Sequence, residues 1–204
     1  MSSEGPFRMT LLALYCLFAS VRIFYGLRVL RSGGKVFTVS KEAAEREGKL
    51  STLVGWAMEV LMPASILLYV LQPQWIERLS LPFPVGLRVF GAALSLACLI
   101  VLIYVHRSLG RHWSASLHLR EQHELVTVGA YVRVRHPMYT LLFGNMAGFS
   151  LVAANWLVLL PRVIQFAHLY ARINREEAMM TERFGDDYRA YMSHTGRLLP
   201  SLRR

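Results

Sequence analysis

The stretch from Gly129 to Tyr139 collects the side chains of this sequence that are best suited to chemistry. It holds two arginines, a histidine and two tyrosines directly before a long apolar run. Pro137 disfavours helical geometry at His136 and suits the first turn of the helix that follows. The free N–H groups of a helix start attract anions such as carboxylates. Charge at a membrane boundary is costly unless it fixes the topology of the chain or takes part in its function. The stretch therefore predicts either a topology anchor or a ligand site.

A second polar group lies further along the chain. Arg172 and Glu176 are four residues apart, next to Glu177, so the arginine and the first glutamate are expected to pair on one helix face. A helix carrying them along the inner membrane face would lie over the loop that contains His136. The sequence therefore predicts that carboxylates, tyrosines and arginines meet beside the lipid.

Glycine and aspartate mark the end of that helix. Gly185 is expected to stop it, and Asp186 or Asp187 to cap a second helix that carries Tyr188 and Tyr191. The two tyrosines would then face the same loop.

The elements that position these residues are predicted to be membrane helices. The 204-residue chain is 54% hydrophobic, and its apolar residues fall in blocks of about the length that crosses a bilayer. The blocks are 9–30, 52–71, 83–105, 138–154 and 156–173. We predict an all-α integral membrane protein with about five transmembrane helices, a C-terminal helical hairpin and a cytoplasmic helical tail. It would form one domain, 1–204, with anchoring helices in 1–106 and the loop, hairpin and tail in 107–204.

The placement of charge fits this topology. The net charge is +10, but lysine and arginine gather at 31–49, at 107–135 and after Arg172. Positive loops stay cytoplasmic, which puts the chemistry-bearing half inside, against anionic lipids, and argues against nucleic acid as a partner. Cys16 and Cys98 lie in predicted spans and give no disulfide or metal pattern. Gly144 and Gly148 predict close packing inside the final hairpin.

From Leu109 to Pro200 the chain resembles the isoprenylcysteine carboxyl methyltransferase family, including its prokaryotic members and the related phospholipid methyltransferases. The order and spacing of several short motifs carry the resemblance. They are Leu109-Gly-Arg, His123-x-Leu-Val-Thr-x-Gly-Ala-Tyr131, Arg135-His-Pro-x-Tyr139, Glu176-Glu177, Phe184-Gly-x-x-Tyr188-x-x-Tyr191 and Leu199-Pro200.

The resemblance implies a membrane enzyme that uses S-adenosylmethionine to methylate a lipid-like or small hydrophobic acceptor, such as the carboxylate of an isoprenylcysteine. Arg135, and after it Arg172, would orient the acceptor carboxylate or the cofactor's own carboxylate. The implied cofactor-binding residues are His123, Leu125, Val126, Thr127, Gly129, Tyr131, His136, Tyr139, Glu176 and Glu177. The implied substrate-binding residues are Trp113, Tyr188 and Tyr191.

Two departures and several alternatives accompany the resemblance. Leu141 stands where the family usually has glycine, and His194 where eukaryotic members tend to carry a basic residue near the substrate. A membrane reductase using NADPH is one alternative, because sterol-reductase-like proteins share an Arg-His-Pro-x-Tyr segment; phospholipid amine methylation and a non-enzymatic scaffold or transporter are others. The excess of arginine over lysine favours a prokaryotic source. The sequence leaves the acceptor, the methylated atom and the oligomeric state open.

Overall fold

The computed structural model describes residues 4–31, 48–71, 74–109 and 125–201, and in them the protein is helical. The helices are α1 (Gly5–Arg31), α2 (Lys49–Leu71), α3 (Val85–Leu109), α4 (Pro137–Ala153), α5 (Trp156–Phe184) and α6 (Asp186–His194). Short 3₁₀ turns cover Gln74–Leu79 and Gly129–Val132. Within these residues, β pairing is limited to two isolated bridges, Ser80 to Asn155 and Val134 to Gly196. The expected all-α class is confirmed for this part of the chain.

Three helices among the described residues are candidate membrane spans. The segments Gly5–Arg31, Lys49–Leu71 and Val85–Arg107 are long and apolar enough to span a bilayer, which supports an integral membrane protein. The helix α4 has 17 residues, and α5 carries polar side chains along much of its 29-residue length. The count of five spans therefore stays a prediction.

A tight turn makes α4 and α5 a helical hairpin. Ala154 adopts a left-handed conformation with φ of 47° at the end of α4. The Asn155 side chain then accepts a hydrogen bond from the Leu157 amide and so caps α5, while its own amide donates to the Ile76 carbonyl. This polar residue, buried at the turn, fixes the hairpin and ties it to the connection before α3.

The glycines of α4 serve a contact other than the expected one. A Cβ on Gly148 would lie 2.2 Å from the Ser95 Oγ and 2.7 Å from the Gly91 carbonyl, and one on Gly144 would lie 2.4 Å from the Cys98 sulfur. All three neighbours belong to α3. The prediction that these glycines pack inside the hairpin is thus wrong: their small size lets α4 approach α3.

The polar tail continues α5 without a break. The helix runs to Phe184 and ends at Gly185, as expected, with φ of 53° at this glycine. Gly185 is also the N-cap residue of α6, whereas Asp186 lies in the first turn and pairs with Arg189. Aspartate capping is therefore wrong, although a carboxylate in that turn still suits the helix dipole. Because α5 has 29 residues and α4 has 17, the polar second half of α5 extends past the start of α4 and brings Glu176 and Glu177 beside His136.

Candidate functional site

The start of α4 forms one wall of the site. Pro137 is its first residue and His136 its N-cap, as the sequence predicts, and the His136 side chain is 8% exposed. The chain just after α6 runs alongside: the Arg135 amide donates to the Gly196 carbonyl at 2.8 Å, and the His136 amide to the Arg197 carbonyl at 3.0 Å. These hydrogen bonds hold the Arg-His-Pro segment firmly against the C-terminal segment.

Glu177 is the centre of the polar cluster. Its Oε1 accepts hydrogen bonds from Arg135 Nε at 3.0 Å and from His136 Nε2 at 3.2 Å; since a carboxylate only accepts, Nε2 carries the hydrogen. Its Oε2 lies 3.2 Å from Arg197 Nε. Three cationic or potentially cationic side chains thus converge on one carboxylate.

Electrostatics keeps Glu177 ionised. Burial alone would raise the pKa of this carboxyl group. Hydrogen bonds from His136 and Arg135, and the positive charge that they bring, outweigh burial and lower the pKa to about 2. Glu177 is therefore a fixed negative charge at any physiological pH.

Glu176 forms a second arm of the cluster. It accepts a hydrogen bond from the Tyr139 hydroxyl on the first turn of α4. Arg172 Nε lies 3.2 Å from the same carboxylate oxygen, which confirms the expected pair four residues apart. His136 Nδ1 is 3.8 Å from the other oxygen. The two neighbouring carboxylates therefore face the same helix start.

Tyrosines of the tail and the loop close another side. The Tyr191 hydroxyl donates to the Tyr131 carbonyl at 2.6 Å, and Tyr188 is buried with its ring 5.9 Å from that of Tyr191. Burial, followed by the nearby Tyr191 and Glu176, raises the pKa of the Tyr131 phenol. Tyr131, Tyr188 and Tyr191 thus form the frame that joins the loop to α6.

The remaining residues of the predicted site fall into two groups. Leu125, Val126 and Thr127 form a segment without regular secondary structure that is partly exposed and leads into the turn at Gly129, whose φ is 62°. His123 and Trp113 lie outside the described residues, so the roles expected of them stay predictions. Of the predicted site residues, Arg135, His136, Tyr139 and Arg172 contact the two glutamates.

Arg135 and Arg172, the residues expected to orient a carboxylate, are already engaged. Arg135 Nη1 donates to the carbonyls of Met192, at 3.2 Å, and of Thr195, and its Nε bonds Glu177. Arg135 therefore joins α5 to the C-terminal segment, in addition to the ligand contact that the sequence predicts for it.

Sequence reasoning missed Arg197. Its Nη2 donates to the Asn174 side chain, its guanidinium lies 5.3 Å from the centre of the Tyr170 ring, and its Nε is buried without a hydrogen bond. The signal in the sequence was Gly196, where a Cβ would clash with the backbone of Leu199 and Ser201, which shows how tightly this segment folds back.

The donors and acceptors of this cluster fit the methionine end of S-adenosylmethionine. That end is a zwitterion, and the site offers carboxylates for an ammonium group and guanidinium groups for a carboxylate, on neighbouring residues. The guanidinium of Arg197 carries more N–H donors than its contacts with Glu177 and Asn174 use, so the cluster retains capacity for an anion. The residues present are therefore chemically suited to this cofactor.

Comparison with known proteins points the same way. Residues 91–182 match the model of the isoprenylcysteine carboxyl methyltransferase (ICMT) family. Protein-S-isoprenylcysteine O-methyltransferase of Schizosaccharomyces pombe is 36% identical over 72 residues, which cover 35% of this chain and 30% of that protein. The chain thus spans less than a third of the length of this relative. The family resemblance that the motifs predict is confirmed, over a stretch that includes α4, Arg172 and both glutamates.

Proposed function

From its resemblance to the isoprenylcysteine carboxyl methyltransferase family over residues 91–182, we propose that this protein is a membrane methyltransferase. It uses S-adenosylmethionine and methylates a lipophilic acceptor, of which the carboxylate of an isoprenylcysteine is the best candidate. The observation that carries the proposal is the cluster in which Glu176 and Glu177 face the start of α4, held there by Tyr139, His136 and Arg135.

The two glutamates would hold the cofactor's amino group and ribose hydroxyls, with His136 and Tyr139 fixing their orientation. Glu177 suits the amino group best, because its low pKa keeps it charged. Leu125–Thr127, Gly129 and Tyr131, with His123, would flank the adenosine. Tyr188 and Tyr191 would support this loop from α6, and Trp113 would contact the acceptor.

Arg135 and Arg172 would set the charge balance of the site. Each holds one glutamate in place. Arg135 uses Nε and Nη1 in the hydrogen bonds found among the described residues, which leaves its Nη2. We assign that nitrogen to the cofactor's own carboxylate. Arg172 would act by keeping Glu176 oriented towards Tyr139.

The reaction needs orientation more than acid–base catalysis. When bound, S-adenosylmethionine supplies a methyl carbon on a sulfonium, which a carboxylate takes as a methyl ester while the sulfur keeps the bonding electron pair and no proton moves. The residues described here would exclude water and align the partners. Since opposite charges cancel as the ester forms, a site shielded from water favours the reaction.

Topology completes the proposal. The polar cluster lies at the end of the bundle where α4 begins, next to sequence segments rich in arginine and lysine. The positive-inside rule supports a cytoplasmic position for this end, where a water-soluble cofactor would be available. The acceptor, being lipophilic, would arrive from the membrane.

A radiolabel experiment tests the proposed reaction. Purified protein in nanodiscs is given S-adenosylmethionine labelled in its methyl group, together with N-acetyl-S-farnesylcysteine or a phosphatidylethanolamine. We expect label in the farnesylcysteine, released as methanol by mild base, because methyl esters hydrolyse. Base-stable label in the amine lipid would replace carboxyl methylation by N-methylation, and no label in either would oppose the proposal.

A further inference from the structure

A row of aromatic side chains leads away from the polar cluster across the α4–α5 hairpin. Tyr139 and Phe143 share a face of α4, and Phe166 and Tyr170 a face of α5, because each pair is four residues apart. The ring centres of Tyr139 and Phe143 are 6.3 Å apart, those of Phe143 and Phe166 4.4 Å, and those of Phe166 and Tyr170 6.1 Å. The row starts beside Glu176, which accepts a hydrogen bond from the Tyr139 hydroxyl.

The row is open on its outer side. Phe166 is 44% exposed and Tyr170 40% exposed, and Val163 and Ile164 on the same stretch of α5 are exposed at 53% and 44%. Exposed apolar side chains on a membrane protein need no partner beyond lipid. What distinguishes this surface is that its polar end is occupied by an arginine.

Arg197 closes the row where the hydrocarbon surface meets the polar cluster. Its guanidinium covers the Tyr170 ring at 5.3 Å, and its backbone is fixed by the hydrogen bond from the His136 amide to its carbonyl. Its Nε lies 3.2 Å from Glu177 Oε2 yet makes no hydrogen bond, although it is buried. Because Glu177 and Asn174 engage only part of the N–H donors of this guanidinium, the half-buried side chain keeps donors for an incoming anion.

Arg197 is also the most accessible arginine of the cluster. Its side chain is 28% exposed, compared with 12% for Arg135 and 14% for Arg172. Those two arginines are held by carboxylates and, for Arg135, by backbone carbonyls. A ligand that approaches along the hairpin therefore meets Arg197 first.

We propose that the aromatic row and Arg197 form the acceptor site, in which a long apolar tail lies along Phe143, Phe166 and Tyr170 and a single carboxylate pairs with Arg197. This inference rests on the proposed function and assigns its acceptor to a surface of the chain. The carboxylate at Arg197 lies next to Glu177, where the cofactor is proposed to bind. The site selects an anionic amphiphile, because Arg197 offers donors only and repels an ammonium head group.

Binding of a charged and a neutral probe tests the site without requiring turnover. The dissociation constants of N-acetyl-S-farnesylcysteine and of its methyl ester are measured by thermophoresis on the full chain in detergent. We expect the original protein to bind the carboxylate about tenfold more tightly than the ester, since one charge-assisted hydrogen bond accounts for that ratio. Arg197→Gln removes the preference, and Arg197→Lys restores part of it.

A separate variant tests the aromatic row, the apolar half of the proposed acceptor site. Phe166→Ala weakens both probes about equally, because it shortens the surface on which the tail lies. The matched controls are Arg189→Gln, an arginine exposed on α6, and Phe90→Ala, a phenylalanine 58% exposed on α3; both keep the original constants. Affinity for S-adenosylhomocysteine, measured in parallel, reports on the proposed cofactor site.

The outcomes separate the two proposals. If Arg197→Gln keeps the preference for the carboxylate, or Phe166→Ala changes neither constant, the row is only a lipid-facing surface and the acceptor inference fails. The proposed methyltransferase still stands in that case if S-adenosylhomocysteine binds. If S-adenosylhomocysteine does not bind the original protein, the proposed function fails, whatever the acceptor probes show.

Discussion

Arginine–glutamate pairs hold both ends of the helical bundle, and they are built differently. At one end, Arg88 of α3 donates from two nitrogens to Glu4, at 2.6 and 2.9 Å. Its Nε also bonds the Val152 carbonyl at the end of α4, and the Tyr69 hydroxyl joins the group from α2. One arginine thus uses all three nitrogens to connect four elements of the chain.

At the other end, the pattern is reversed. One carboxylate, Glu177, lies within 3.2 Å of three side chains that donate, namely Arg135, His136 and Arg197. Donors therefore exceed acceptors around this carboxylate. The difference is one of arrangement: at the first end one arginine joins several acceptors, whereas at the second several donors surround one carboxylate, and an anionic ligand would find donors there.

Substitution of Arg88 should have the largest effect on stability. Arg88→Ala leaves Glu4 and two backbone carbonyls without their donor, and breaking a buried ion pair costs about 3–5 kcal/mol. We expect a lower thermal midpoint in detergent, with cofactor affinity of the folded protein unchanged. Arg78→Ala, at an exposed arginine in the turn before α3, is the control and should melt normally. A loss of cofactor affinity in Arg88→Ala would show that the two ends are coupled.

Substitution of Glu177 should affect binding most. In Glu177→Gln a neutral amide faces Arg135, His136 and Arg197, and losing one partner of a buried charge pair costs affinity by about a hundredfold. Calorimetric titration with S-adenosylhomocysteine measures this loss. Asp187→Asn, on the exposed side of α6, should leave the affinity as it was. Equal affinity in Glu177→Gln would place the cofactor elsewhere.

The low pKa of Glu177 predicts a pH dependence of stability. The pKa of about 2 in the folded protein lies below the ordinary pKa of 4.5, so Glu177 stabilises the fold fully above pH 4.5, and the contribution disappears as pH falls towards 2. The gap in thermal midpoint between the original protein and Glu177→Gln should stay constant from pH 7 to 5 and narrow below 4.5. A gap that widens in acid would contradict the assigned direction.

The smallest effect is expected at Tyr139. Tyr139→Phe keeps the ring contacts with His136 and Phe143 but removes the hydrogen bond to Glu176, which is worth about 1 kcal/mol. Cofactor affinity should fall by several-fold, and the thermal midpoint by only about 2–4 °C. Tyr104→Phe, at an exposed tyrosine of α3, serves as the control. An unchanged affinity would show that the hydrogen bond by which Tyr139 orients Glu176 does not contribute to cofactor binding.

Local features of this fold were predictable because local rules govern them. Pro137 at a helix start, Gly185 at a helix end and the Arg172–Glu176 pair each follow from backbone geometry or helix spacing. The contacts between segments far apart in the chain were not predictable in the same way. The spacing of Gly144 and Gly148 indicates a close helix contact but not which helix makes it.

The C-terminal segment shows the same limit at the site. Arg197 lies beside Glu177 in a segment whose backbone pairs with residues 133–136, a contact that no periodicity encodes. The pattern of charges also gave no sign that Arg135 would bond the carbonyls of Met192 and Thr195. The residue types at the site could therefore be predicted from the sequence, but the contacts that each of them makes could not.

The most direct test of the central claim is calorimetric titration of the purified protein with S-adenosylhomocysteine and, separately, with NADPH. We expect S-adenosylhomocysteine to bind the original protein and Arg88→Ala alike, and binding to be lost in His136→Ala and Glu176→Ala. Binding of NADPH alone, or S-adenosylhomocysteine binding that persists in both site variants, would contradict the account.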